Sequence, residues 1–215
     1  MKEAAMTNNK TKRSAGRSAL SVQDIAFIGM FGAVASVLMF LEFPLPFAPS
    51  FYELDFSEVP VLIGSFALGP VAGILIELIK ILIHLVIKGT HTAGVGEVAN
   101  FIIGCALVLP AGFIYRLRKN RKRALIGMAV GTLTMTAAGC LINAFVLLPT
   151  YAAAFGMPME ALIDMGNAVN HSVHDLATFA ILCVGPFNLL KGVLVSVVTM
   201  ILYKRISGLI KRVKA

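Results

Sequence analysis

Residues 54–104 read LDFSEVPVLIGSFALGPVAGILIELIKILIHLVIKGTHTAGVGEVANFIIG. The stretch is too apolar for the core of a soluble domain, yet it carries Asp55, Glu58, Glu77, Lys80, His84, Lys88 and Glu97. A charge placed in hydrocarbon costs roughly 2.5–3.5 kcal/mol on insertion scales, so such residues line a site, a water-filled cavity or a partner helix. Two breaks divide the stretch, Gly69-Pro70 and the glycine-rich link from Gly89 to Gly96. The expectation is a membrane protein with a solute pocket, one wall of which this stretch supplies.

Composition agrees. Of 215 residues, 58% are hydrophobic and 14% charged, with mean hydropathy +0.85. Soluble domains carry about 25% charged residues, so this is the composition of a polytopic membrane protein. The net charge of +8 does not form a nucleic-acid-binding face. Sixteen of the nineteen Lys and Arg fall in three blocks, Lys2 to Arg17, Arg116 to Arg123 and Lys204 to Lys214. Basic blocks beside apolar spans put both termini and the 116–123 loop on the cytoplasmic side of the cell membrane. Cys105, Cys140 and Cys183 lie in apolar segments without motif spacing and read as buried hydrophobes. The first apolar run, from Ile25, lacks a small-x-small cleavage site and reads as a span rather than a leader.

Outward from the central stretch, residues 1–20 read as a disordered basic tail, 21–206 as one six-helix membrane domain and 207–215 as a second basic tail. Ser21 and Asp24 form a capping-box pattern that opens a first helix to about Leu41. Along that helix Ala26, Gly29, Ala33 and Ser36 share one arc. Such a small-residue stripe lets another helix approach closely, either within this protein or from a partner. Residues 42–56 hold three prolines and cannot be helix. They form an outer loop, either a plain interfacial turn or a lid over a pocket.

The amino terminus and the 116–123 loop lie on one side, so an even number of crossings separates them. That requires a break at Gly69-Pro70, with spans at about 57–69 and 70–88. Glu77 and Lys80, three apart, can neutralise each other. A fourth helix follows over about 97–115 and a fifth over about 124–148. Residues 158–184 read as an outer loop with a helix lying at the interface, and Pro186 as the start of a last span to about Tyr203. Lys191 is then a lone cation about 7 Å into that span, needing a partner unless it snorkels to the surface.

With this topology Glu97, Asn100, Asn143, Asn188 and Lys191 gather at the outer helix ends, beneath Phe47, Phe51 and Tyr52. Three amides, an acid and an ammonium suit a ligand with a flat heteroaromatic part and a polar chain. No Walker A loop occurs, so the chain does not itself hydrolyse ATP. His171, His174 and Asp175 offer two imidazoles and a carboxylate with no third metal ligand at a recognised spacing. An intramembrane enzyme built on them is the rival reading; no catalytic residue, metal or cofactor is expected.

FPLPFAPSFYELDFSEVP, LIGSFALGPVAGILIELIK, GVGEVANFIIG and PFNLLKG together resemble the riboflavin-specific substrate-binding subunit of energy-coupling factor (ECF) transporters. The resemblance covers about residues 25–206; single pieces such as LDFS-x-VP are shared with subunits for other vitamins. It implies six helices with both termini cytoplasmic, and riboflavin captured from outside beneath the loop after the first helix. It assigns ligand contacts to Glu97, Asn143, Asn188 and Lys191, with Phe47 and Ala48 from the loop. It also implies docking of a small-residue motif, here Ala26, Gly29 and Ala33, on a transmembrane coupling subunit bound to two ATPases.

Overall fold

A computed structural model of the chain describes residues 20–213 apart from Phe47, Ser50 and 91–93, with side chains as far as Tyr203. The expected tail 1–20 therefore lies almost wholly outside the described residues, as does Phe47. Helix α1, Val22–Phe40, opens on the capping box foreseen from sequence: Asp24 N–H donates to Ser21 Oγ at 3.1 Å, and Ser21 N–H donates back to Asp24 Oδ2 at 3.2 Å. The proline-containing segment after it is non-helical. Two short strands, β1 (Phe43–Pro44) and β2 (Glu53–Leu54), pair antiparallel and close it into a hairpin.

The break between α2 (Glu58–Leu68) and α3 (Pro70–Lys88) falls where expected. Gly69 adopts φ 109°, open to glycine and strained for other residues, and Pro70 presets the first turn of α3. After α4, Val95–Leu117, comes α5, Arg121–Ile142, which packs closely along it. At Gly131 a Cβ would collide with the Leu107 carbonyl, so only glycine allows this approach.

Beyond α5 the structure corrects the sequence reading. The fifth helix does not end near residue 148. A π turn at Asn143–Leu147 carries it into α6, Leu148–Phe155, giving one run of 35 residues. Within 158–184 only α7, Met159–Val169, is a separate helix. The last span starts at Leu176 rather than Pro186: Asp175 caps α8 (Leu176–Phe179), a π turn follows at Ala180–Val184, and α9 runs on from Gly185 to Val213. In both runs a proline stands two residues past the π turn, Pro149 and Pro186. Proline cannot donate to the carbonyl four residues back and clashes with it; a wider turn just upstream accommodates both defects without ending the helix.

Among the described residues five helices are long and apolar enough to cross a membrane: Val22–Phe40, Pro70–Lys88, Val95–Leu117, Arg121–Phe155 and Leu176–Tyr203. Helix α2, with 11 residues, is apolar but shorter. One apolar cluster, including Phe31, Leu62, Ile76, Leu107, Met128 and Val195, joins α1–α5 to α9. A second, with Tyr52, Leu54, Leu148, Phe179, Val184 and Phe187, joins the hairpin to α6–α9. The site lies where the two meet.

Candidate ligand-binding site

Beneath the hairpin is a cavity of about 170 Å³. Its wall takes Phe51, Tyr52 and Asp55 from the hairpin segment, Glu58 from α2, Asn100 and Gly104 from α4, Asn143 at the head of the first π turn, and Phe187, Asn188 and Lys191 from α9. Four residues proposed from sequence, Asn100, Asn143, Asn188 and Lys191, thus share one cavity. Glu97 does not: it faces an adjoining chamber that also borders Asn100, and accepts a hydrogen bond from Thr90 Oγ1 at 3.0 Å. Ala48 is buried in the apolar cluster under the hairpin instead of lining the cavity.

The hydrogen-bond inventory shows what the cavity can offer. Asn143 Nδ2 donates to the Gly139 carbonyl at 2.8 Å, and its Oδ1 accepts from the Tyr52 hydroxyl at 2.6 Å. Asn188 Nδ2 donates to the Val184 carbonyl at 3.0 Å. Each amide is anchored by one N–H to a helix carbonyl, leaving its second N–H and oxygen lone-pair capacity for a ligand. Asn143 opens the first π turn, and the Val184 carbonyl that holds Asn188 closes the second. Widened turns of this kind recur at functional sites.

Lys191, 8% exposed, does not snorkel: its Nζ donates to Asp55 Oδ2 at 2.8 Å. Burial pushes the Asp55 carboxyl up, but the Lys191 and Lys80 charges and hydrogen bonds from Lys191 and the Ser57 N–H outweigh it and hold the group at about 2. The ammonium keeps two N–H bonds for other acceptors. Glu77 and Lys80 pair as expected, at 2.7 Å, but Lys80 also holds Glu58 at 2.7 Å, and all three are buried. Of this triad Glu58 lines the cavity, and Lys80 and Glu77 lie buried behind it. A Cβ on Gly104 would collide with Glu77, so glycine in α4 leaves the room the triad occupies.

Asp55, Glu58 and Phe187 line the cavity although the sequence reading assigns them no ligand contact. The first two are visible as charges in an apolar stretch, and Tyr52 as an aromatic overhead. Nothing in the sequence paired them with Lys191, Lys80 and Asn143. The rival constellation has a structural use: Asp175 Oδ1 accepts from the Thr178 N–H at 2.7 Å as the α8 cap, and His171 and His174 are exposed. Among the described residues no group of three or more His, Cys, Asp or Glu could hold a metal. Ala26, Gly29 and Ala33 are exposed along α1, with nothing near a Cβ placed on Gly29. Ser36 turns inward and donates to the Gly32 carbonyl at 2.8 Å.

Apolar helices of spanning length, a buried ion network and a roofed polar cavity define a multi-pass membrane protein that binds a small solute. By comparison with known proteins the chain belongs to the family of ECF transporter substrate-specific components, whose family model matches residues 23–203. It is 36% identical over 201 residues to the riboflavin transporter RibU of Staphylococcus aureus (strain TCH60), covering 92% of this chain and 99% of that protein. It is 32% identical over 194 residues to the riboflavin transporter FmnP of Bacillus subtilis (strain 168), covering 90% and 96%. A solved structure of the S component of a bacterial ECF transporter superposes with a TM-score of 0.68 at 34% identity, covering 88% of this chain and 98% of that one. The chain is therefore a membrane transport component rather than an enzyme.

Proposed function

We propose that this chain is the riboflavin-binding subunit of an ECF transporter in the cell membrane. It crosses six times, α2 and α3 forming two of the crossings, with both termini cytoplasmic. Riboflavin enters from outside beneath the hairpin. Its flat ring system lies among Phe51, Tyr52 and Phe187, and Asn143, Asn188 and Lys191 read its polar edge. Phe47 and Ala48 belong to the covering loop. Ala26, Gly29 and Ala33 dock on a transmembrane coupling subunit, and two ATPases on that subunit drive the reorientation that releases the vitamin inside.

The carrying observation is the cavity in which two anchored amides and a paired ammonium, each with hydrogen-bonding capacity left, face aromatic rings. An isoalloxazine edge alternates carbonyl acceptors with N–H and N groups, which matches side chains able both to donate and to accept. The names of the relatives support the choice of vitamin. Purified protein is expected to carry a yellow flavin spectrum, and Asn188→Ala and Lys191→Ala should each weaken riboflavin binding about tenfold or more, since a buried group left unpaired costs about 1–3 kcal/mol. Unchanged affinity in both variants refutes the site.

A further inference from the structure

A groove of about 570 Å³ runs between α5 and α9 and shares no residue with the cavity beneath the hairpin. Glycine brings the two helices together there: a Cβ on Gly192 would collide with the Thr132 side chain. Buried Met128 and Met200 form the floor, and Leu125, Leu133, Val193 and Val197, all exposed, form the rims. From Arg121 to Leu133 the groove follows α5 for about 18 Å at about 1.5 Å per residue. That is close to one leaflet of a hydrocarbon core roughly 30 Å thick. A spanning partner helix seated here would lose its contact at mid-membrane, whereas a single lipid chain would not. Arg121 stands exposed at one end, and among the described residues no carboxylate pairs with it. Lys122 and Arg123 follow it, Lys204 and Arg205 lie just beyond Ile201 on α9, and neither helix carries an Asp or Glu. The rest of the lining is apolar apart from Thr132 and Ser196.

We propose that this groove is a binding site for an anionic phospholipid of the leaflet that borders the 116–123 loop, with one acyl chain between α5 and α9 and the headgroup phosphate on Arg121. The site is independent of the solute held beneath the hairpin. A guanidinium presents a fixed fork of donors that matches phosphate oxygens, and basic pockets between membrane helices hold anionic headgroups. Charge also selects against the commoner alternative. A zwitterionic headgroup brings its own ammonium, which finds basic side chains at this end of the groove and no carboxylate on either helix.

The test loads delipidated protein in detergent with phosphatidylglycerol or phosphatidylcholine of identical chains and counts retained lipids by native mass spectrometry. One phosphatidylglycerol should be held about fivefold more tightly than phosphatidylcholine, the contribution of one basic side chain beside an anionic headgroup, and Arg121→Gln should bring the two lipids within about twofold. Ala129→Trp, which fills the groove from α5, should lose both lipids, and Val193→Trp on the opposite rim should do the same. None of these positions lines the cavity beneath the hairpin, so elution as a single species and unchanged flavin affinity identify correctly folded variants. Equal retention of the two lipids by the wild type, an undiminished preference in Arg121→Gln, or full retention in Ala129→Trp and Val193→Trp overturns the proposal. A dimer that Ala129→Trp and Val193→Trp dissolve gives the groove to a second copy of the chain and overturns it as well. Failure of the flavin reading would appear separately, as wild-type protein that retains the lipid and binds no flavin.

Discussion

Lys191 illustrates what one residue reveals. An ammonium buried within an apolar helix must find an anion or reach the surface, and it finds Asp55, 136 positions away in the chain. Removing one member of a buried ion pair strands the other, at about 3–5 kcal/mol. Asp55→Asn should therefore lower stability by about that amount and weaken riboflavin binding, as read by unfolding in detergent and by flavin titration. The double variant Asp55→Asn/Lys191→Met should be more stable than Asp55→Asn alone, because no charge is then left unpaired. The pH dependence has a definite sign. With the folded carboxyl at about 2 and its ordinary value at 3.8, the pair's stabilisation is fully present above about pH 4 and fades as the pH falls toward 2. Thermal unfolding followed from pH 8 down to pH 3 should show this loss only at the acid end. That Lys191 needed a partner was legible in its burial among Val, Leu and Ile. The partner's identity was not, because pairing across a fold leaves no local pattern.

Elements were legible to the extent that their signals are local. The capping box at Ser21, the Gly69-Pro70 break and the absence of helix in the proline-containing segment all appear where short-range chemistry places them, whereas the pairing of β1 with β2 had no signal in the sequence reading. The start of the last helix was misplaced because proline after glycine usually opens a helix; here a π turn absorbs the proline and the helix begins ten residues earlier, at Leu176. Helix α1 carries its own prediction. Ala26, Gly29 and Ala33 contribute little to the internal packing, so Gly29→Leu and Ala33→Leu should leave folding and riboflavin affinity nearly unchanged. If the stripe docks a coupling subunit, both variants should abolish uptake, because bulky side chains hold the helices apart. Normal uptake by either variant, measured in cells with radiolabelled vitamin, would remove the stripe from the docking surface.

At the scale of the molecule, the cavity is joined to no nucleotide-binding motif, and a binding subunit alone can only equilibrate or hold its ligand. Vesicles containing this chain without a coupling module should bind riboflavin stoichiometrically and fail to concentrate it. Adding the coupling subunit with its ATPases and ATP should produce accumulation. Concentrative uptake by the isolated chain would contradict the division of labour proposed above.

The sequence alone determined that the chain is helical and apolar enough for a membrane, where its main breaks fall, and which polar residues had to be sheltered. Hydropathy, proline and glycine act over a few residues, and the cost of burying charge applies wherever that charge finally sits. Only the tertiary structure decided that Lys191 meets Asp55, that Tyr52 meets Asn143, that Lys80 is shared by two acids, and that Glu97 borders an adjoining chamber rather than the main cavity. Those outcomes depend on helix rotation and depth. The two π turns shift both, by an amount that no hydrophobic periodicity records.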